Sequence, residues 1–318
     1  MSLDLSIIIV TWNCKAYLRD CLASLQRENA QEIVVVDNGS TDGTVETAQA
    51  AVGSVRVIQN QCNVGFARAS NQGLRESHCA YALLLNPDTI VRPGAMLRLV
   101  EFMEHHPNAW GAGPALLNGD GTLQRTGVRF PSAWNLFVEA LFLDRLFPMT
   151  RLFGSHRELY EDPQRARRVD FVQGSCLMVR REDVLEKVGL LDERFFMYFE
   201  ETDWCRRIGD AGGEVWYVPQ AEVVHFGGGE FGHYDERRLL AYHRSLFLFF
   251  AKHAGAGKNE VLRVIVAVRT MVRLLVWGMA GVVRPSKRGR AWNAARGYWR
   301  VMGMLRQRAV LSSIPHRQ

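Results

Sequence analysis

The chain has 318 residues, of which 47% are hydrophobic and 23% charged, and its formal net charge is +6. That length and apolar content can bury a large core without disulfide support, and the positive balance points to an anionic partner without choosing among nucleic acid, phosphate ligand and membrane lipid. The six cysteines, Cys14, Cys21, Cys62, Cys79, Cys176 and Cys205, form no CxxC pair, so reduced thiols are expected and a zinc site is not.

Ser6-Ile7-Ile8-Ile9-Val10-Thr11 is a continuous apolar run ending at Trp12-Asn13, as in a strand buried on both faces. It lacks the basic leader and small-residue cleavage site of a signal peptide, so a cytoplasmic setting is expected. Leu18, Cys21, Leu22 and Leu25 recur at helical spacing, and Ile33-Val34-Val35-Val36-Asp37 returns to strand before Asn38-Gly39-Ser40-Thr41-Asp42-Gly43 breaks it. A helix over 45–51, a strand over 55–58, a helix over 66–76 and a strand over 82–85 repeat the alternation. The expected fold class is therefore α/β, with a doubly wound, mostly parallel sheet.

Such sheets bind ligands at the carboxyl ends of their strands, where Thr11, Asn13, Asp37, Asn38, Asn63, Asn86 and Asp88 collect. Asn86-Pro87-Asp88 stops the fourth strand and presents a carboxylate at the turn; the same tripeptide also reads as an Asx-type turn that caps the next helix. No GxGxxG follows the first strand and no GxxxxGK[ST] occurs, which removes the main support for a dinucleotide-dependent oxidoreductase.

After a helix containing Met96, Leu97, Leu99, Val100 and Phe102, residues 110–117 read as a strand and Asn118-Gly119-Asp120-Gly121 as a hairpin turn, so the sheet becomes mixed. From 122 to 168 periodicity fades among scattered aromatics, as in a packed insertion or an acceptor-facing lid. Strand character resumes over 169–180 around Gly174, followed by a short helix over 182–188. An aromatic run, 195–199, then leads into Glu200-Glu201-Thr202-Asp203, where three carboxylates open a helix. They suit the helix dipole as caps, and one beside a desolvating aromatic wall also suits a proton acceptor. Strands over 214–218 and 221–224 lead to His225, with Gly227-Gly228-Gly229 behind it; a strand-end histidine beside glycines serves a structural hydrogen bond or reaches a phosphate or metal.

Taken in order, Ser6 to Asn13, Val34 to Asp42, Asn63 to Gly73, Leu84 to Asp88, Gly174 to Arg181, Phe199 to Asp203 and Val224 to Gly229 resemble an inverting glycosyltransferase of family 2, in its rhamnosyltransferase-like branch, over roughly residues 5 to 230. The resemblance implies the glycosyltransferase A fold and a nucleotide-diphosphate sugar lying across the first strands. It assigns Thr11, Asn13, Asp37, Asn38, Asn63, Gly65, Asn71, Asn86 and Gly174 to the nucleotide sugar. It also implies Mg²⁺ or Mn²⁺ held by Asp88 near His225, the family's usual pair of metal-binding aspartates being reduced here to Asn86-Pro87-Asp88. Its catalytic base falls among Glu200, Glu201 and Asp203, with Glu201 in the place the family gives to an aspartate. The reaction implied is transfer of a sugar, L-rhamnose from dTDP-rhamnose first, to a hydroxyl of a lipid-linked saccharide in O-antigen-like cell-surface polysaccharide biosynthesis. A UDP-galactose, UDP-glucose or UDP-GlcNAc donor is the nearest alternative. Nucleotidyl transfer is a further one, although Trp12-Asn13-Cys14 is not the glycine-rich loop that a triphosphate requires.

The expected division is a nucleotide-sugar-dependent domain over 1–250 and a basic helical tail over 251–318. Arginines break the apolar run 261–283, and the charge-free stretch 274–283 is shorter than the about 20 residues a membrane span needs. At 100° per residue, Arg263, Arg269, Arg273 and Arg284 fall within an arc of roughly 120°. That stripe, with Trp277, Trp292 and Trp299, suits peripheral attachment to an anionic membrane at its inner face; the other reading is a helical hairpin packed on the catalytic domain or on a second copy in a homodimer. No nucleic-acid recognition motif accompanies the charge, so no nucleic acid is expected as partner.

Overall fold

The computed structural model describes residues 2–51, 55–124, 127–154, 156, 161–227, 236–254, 256–283 and 288–306. Its strands are β1 (Leu3–Thr11), β2 (Ala30–Asp37), β3 (Val55–Gln59), β4 (Tyr81–Leu85), β5 (Thr89–Val91), β6 (Ala109–Leu117), β7 (Leu123–Gln124), β8 (Gly127–Val128), β9 (Arg167–Val169), β10 (Phe171–Val172), β11 (Cys176–Arg180) and β12 (Glu214–His225). The helices are α1 (Lys15–Leu25), α2 (Thr44–Gln49), α3 (Phe66–Glu76), α4 (Ala95–His105), α5 (Ala133–Ala140), α6 (Leu143–Leu146), α7 (Arg181–Lys187), α8 (Glu200–Asp210), α9 (Glu236–His253), α10 (Ala256–Val283) and α11 (Arg288–Arg306).

Packing divides the chain into two compact units. The first holds Met1–Phe130, Glu161–Glu193 and Glu200–Gly229, and the second Pro131–Tyr160, Arg194–Phe199 and Glu230–Gln318. This division does not follow a split at residue 250, because α9 packs with α10 and α11, and α5 packs with α10.

In the first unit the sheet runs β3-β2-β1-β4-β11-β6-β12-β5. β1 pairs in parallel with β2 and β4, whereas β11 is antiparallel to β4, so the sheet is mixed as expected. Alternation along β1 sends Ile7 and Ile9 to the face covered by α1 and α4, through Leu18, Cys21, Met96 and Leu99. Ile8 and Val10 go to the face covered by α3 and α8, through Ala67, Leu74, Trp204 and Ile208. Both faces are therefore apolar, which is why β1 reads as an unbroken apolar run. Helix α3 lies so close to β1 that a Cβ on Gly73 would stand 2.4 Å from Ile8 Cγ2. The expected strands at 214–218 and 221–224 form one strand, β12, whose register shifts between Val218 and Glu222. Pro219 sits in that irregularity, where its missing N–H does no damage to the ladder.

In the second unit the arginines of α10 do not form an outward stripe. Arg263 donates to the Leu305 carbonyl of α11, Arg269 pairs with Glu139 of α5 at 3.1 Å, and Arg273 lies over the Phe142 ring. The outward line of α10 is apolar instead: Val264, Met271, Leu275, Met279 and Val282 are all exposed. Guanidinium groups that find partners on neighbouring helices turn inward, and the 100° step then carries the opposite, apolar face outward. Arg284 lies outside the described residues.

Candidate active site

Thr11 and Asp37 close β1 and β2 as register partners. The Asp37 carboxylate is fully buried. Its Oδ1 accepts from Thr11 Oγ1 at 3.0 Å and Ser40 Oγ at 2.5 Å, and its Oδ2 from the N–H groups of Gly39 and Ser40 at 3.0 and 2.8 Å. Those bonds shape the loop after β2, so Asp37 meets a ligand only if one of them opens. Asn13, exposed and at φ 48°, accepts from Thr41 N at 2.8 Å and ties the loop after β1 to the same turn. Asn38 donates to the Gly65 carbonyl at 3.3 Å, and Asn63 Oδ1 accepts from Gly65 N at 3.0 Å. Thr11, Asn13, Asp37, Asn38, Asn63 and Gly65 thus form one hydrogen-bonded rim along the carboxyl ends of the first strands. Asn71 is not part of it. Its buried amide donates to the Leu191 carbonyl and Glu193 carboxylate and accepts from Leu191 N, tying α3 to the segment before α8.

β4 ends at Leu85, and Asn86 N donates to the Ser175 carbonyl at 2.9 Å. Thr89 Oγ1 then donates to the Asn86 carbonyl at 2.7 Å, making the tight turn that proline requires. β5 pairs with the end of β12, matching Thr89 to His225, and this sets Asp88 Oδ1 3.4 Å from His225 Nε2. Gln124 orients the ring. Its Nε2 donates to the His225 carbonyl and to Asn118 Oδ1, both at 2.7 Å, which leaves its Oε1 facing His225 Nδ1 at 3.2 Å. An amide oxygen there calls for Nδ1–H, so in the neutral ring Nε2 carries its lone pair toward the Asp88 carboxylate. Two electron-rich groups aimed at each other suit a shared cation, and the outer hydrogen bond that Nδ1–H gives to Gln124 Oε1 is the support a ligating histidine requires. Among the described residues no group of three or more His, Cys, Asp or Glu side chains has metal-ligand geometry. A cation at this pair would therefore draw its other ligands from substrate oxygens and water, as hard divalent ions accept.

The three carboxylates of α8 have separate fates. Asp203 is fully buried and pairs with Arg207 at 2.8 Å, while Arg207 also donates to the carbonyls of Val188 and Leu190. Its role is to fasten α8. Glu200 is 5% exposed, and its Oε2 has no hydrogen-bond partner. Burial, then the charge of Glu201, hold its pKa well above the ordinary carboxylate value. Burial also raises Glu201, opposed by hydrogen bonds from its own α8 turn and from the backbone of Gly174. Glu201 stays partly exposed and packs on Gly174 so closely that a Cβ there would stand 3.3 Å from its Cβ and Cγ. Gly174 precedes Ser175, the partner of Asn86, so Glu201 and the Asn86 turn both border the Gly174–Ser175 step. Just ahead of α8, Tyr198 and Phe199 hold φ of 71° and 67°, a left-handed pair costing about 1–3 kcal/mol each. None of the six cysteines is in a disulfide, and burial pushes the thiols of Cys14, Cys21 and Cys205 up to about 12, which disfavours their thiolates.

Gln124, the Ser175 carbonyl and the strained Tyr198–Phe199 step had no sequence signal. Gln124 lies in the aperiodic stretch, a backbone carbonyl has no letter of its own, and aromatic residues rarely adopt positive φ.

A family model described as Glycosyl transferase family 2 matches residues 6–188. The chain belongs to glycosyl transferase family 2. This glycosyltransferase is 32% identical over 288 residues to the N-acetylglucosaminyl-diphospho-decaprenol L-rhamnosyltransferase of Mycobacterium tuberculosis, across 85% of this chain and 93% of that protein. A continuous span of that coverage necessarily includes α8 and the end of β12, beyond the family match. The dTDP-rhamnosyl transferase RfbF of Shigella flexneri is 25% identical over 231 residues, 71% of this chain and 70% of that one. Among solved structures, the mannosyltransferase PcManGT of Pyrobaculum calidifontis, in complex with GDP-Man and Mn²⁺, superposes with a TM-score of 0.58 at 15% identity, covering 94% of this glycosyltransferase and 85% of that chain. The expected glycosyltransferase A architecture is thereby met.

Proposed function

We propose that the enzyme transfers L-rhamnose from dTDP-rhamnose to a hydroxyl of a saccharide carried on a lipid diphosphate, with inversion at the anomeric carbon. The observation that carries this reading is the likeness to the mycobacterial rhamnosyltransferase, which extends over 93% of that protein. Glu201 removes the proton from the acceptor hydroxyl, the oxygen attacks the anomeric carbon from the face opposite the diphosphate, and dTDP departs. Glu201 is favoured over Asp203, which is committed to Arg207, and over Glu200, which is the more deeply buried of the pair. Burial keeps the Glu201 proton affinity high, as a proton acceptor requires. Mg²⁺ or Mn²⁺ fits the Asp88–His225 pair, and when bound it offsets the negative charge growing on the departing diphosphate. The hydrogen-bonded rim from Thr11 to Gly65, with Asn86 and Gly174 beside it, receives the nucleotide sugar. The enzyme acts from the inner face of the cell membrane, held by its helical unit; no helix among the described residues is long and apolar enough to cross a membrane.

A thermal-shift panel of nucleotide sugars with and without Mn²⁺ tests the donor and the metal together, since stabilisation follows affinity. The expected result is a Mn²⁺-enhanced preference for dTDP-rhamnose. Greater stabilisation by UDP-galactose, UDP-glucose or UDP-GlcNAc would replace the donor assignment.

A further inference from the structure

The second unit presents a surface that the transfer chemistry does not use. Of the large apolar side chains exposed among the described residues, all but Trp12, Leu97 and Phe226 belong to it. On α10 they form a line: Val264, Met271, Leu275, Met279 and Val282 fall within an arc of about 80° at 100° per residue and run for about 27 Å. From Val261 to Val283 every exposed residue is apolar or glycine, since the three arginines turn to neighbouring helices.

Helix α11 lies beside this line and leaves it uncovered. Arg263 reaches the Leu305 carbonyl and Gly281 stands against Ala291, so the two helices run antiparallel. Arg263 and Gly281 share one side of α10, about 100° round from Val264 and Val282. Ala291 stands one such step before Trp292 on α11, and in antiparallel helices equal steps of one hand bring both outer faces to the same side of the hairpin. The face that α11 turns there differs in kind: Arg288, Trp292, Arg296, Trp299 and Arg306 are exposed within an arc of about 80°. Indole rings and guanidinium groups suit the boundary between water and hydrocarbon, whereas the α10 line suits hydrocarbon.

Residues 261–318 contain twelve lysines and arginines and no aspartate or glutamate, more than the chain's whole net charge of +6, so residues 1–260 are net acidic. An anionic bilayer answers both features, the apolar line and the unbalanced charge. A soluble polyanion would leave the line in water, and two copies joined through this face would set arginine against arginine with no carboxylate from the same segment.

We infer that the outer faces of α10 and α11 insert together into an anionic bilayer, the α10 line at the acyl boundary and the tryptophans and arginines of α11 among the headgroups. This rests on the membrane setting proposed above and names the surface that makes the contact. Apolar burial supplies most of the binding, because a large apolar side chain contributes more on burial than an arginine does at a charged surface.

The test is flotation of the full chain with vesicles of phosphatidylcholine, alone or with phosphatidylglycerol, at low and high salt. The variants are Leu275→Glu and Met279→Glu on the α10 line, Arg296→Gln on α11, and Leu97→Glu as an exposed apolar position of the first unit. Wild type should float with both vesicles, more strongly with the anionic ones, and high salt should remove only that difference. L275E and M279E should each weaken binding by about 10- to 100-fold, the worth of burying one large apolar side chain. R296Q should weaken it severalfold on anionic vesicles alone, and L97E should bind as wild type. All four should transfer sugar to a water-soluble acceptor at the wild-type rate, which shows that they fold. Wild-type binding by L275E and M279E, or wild-type flotation that high salt abolishes, would overturn insertion through α10. A wild type that floats with neither vesicle would overturn it too, and a dimer broken by L275E in sedimentation would then assign the face to a second copy. A wild type that floats as expected but does not use dTDP-rhamnose removes the proposed transfer and leaves this surface standing.

Discussion

Replacing Glu201 by Gln isolates the proton acceptor, because the amide oxygen can still accept the hydrogen bonds that reach the carboxylate from Gly174 and from its own helical turn. The side chain keeps its size, so its packing on Gly174 is retained. What is lost is the ability to take a proton from the acceptor hydroxyl. A positioned general base contributes about 10²–10⁴-fold, equivalent to about 3–5 kcal/mol of barrier, and kcat for E201Q should fall by that factor with the KM for the donor little changed. The neighbouring substitution, Glu200→Gln, separates base from neighbour. Burial raises both carboxylates in the wild type, so the activity should rise with pH through a limb above the ordinary carboxylate range. Glu200, the higher of the two, still holds its proton while Glu201 ionises, so its amide replacement should leave the limb in place and the plateau activity intact. The assay is kcat/KM against pH for wild type, E200Q and E201Q. An E201Q enzyme within threefold of wild type, or an E200Q enzyme as impaired as E201Q, would refute the assignment.

Asp203→Asn should leave the half-buried Arg207 beside an uncharged partner and destabilise the fold by about 3 kcal/mol, read as a fall in the denaturant midpoint; a change in kcat at unaltered stability would return Asp203 to the candidates for base. Gln124→Ala should release the His225 ring and weaken Mn²⁺ affinity by about 10–100-fold, measured as Mn²⁺-dependent thermal stabilisation in the presence of dTDP; identical titrations would show that Gln124 does not orient a ligand. Because the Glu200 pKa is raised in the folded state, the fold binds this proton more tightly than the unfolded chain does. Its stability therefore falls as pH rises from the unfolded carboxylate value through the raised one. Glu200→Gln should flatten that slope in denaturation curves recorded across the acid to neutral range, and an unchanged slope would assign it to other groups.

Strands β1, β2 and β4 were legible because each is buried on both faces and so reads as an apolar run, and the turn at Asn86-Pro87-Asp88 because proline leaves few alternatives. Ligand residues and clamps were harder to separate. Asn71 and Asn63 have the same side chain, yet Asn71 binds Leu191 and Glu193 more than a hundred positions away, a pairing that only the fold creates. Asp203 likewise differs from Glu201 through Arg207, one helical turn on, whose other hydrogen bonds reach Val188 and Leu190. The arginines of α10 do share one side of the helix, as their spacing requires, but spacing does not say whether that side faces solvent. Glu139, Phe142 and Leu305 turn them inward. The strands expected over 214–218 and 221–224 are one, and the sheet absorbs the interval between them as a register shift within β12.

The most direct measurement is the reaction itself: purified enzyme, a lipid-diphosphate-linked acceptor, and dTDP-rhamnose or a UDP-hexose as donor, with Mn²⁺ present or chelated, and the product anomer assigned by NMR. The expected result is Mn²⁺-dependent transfer from dTDP-rhamnose with inverted configuration, lost in Asp88→Ala. Transfer that retains configuration, or that proceeds equally well from a UDP-hexose or in Asp88→Ala, would contradict it.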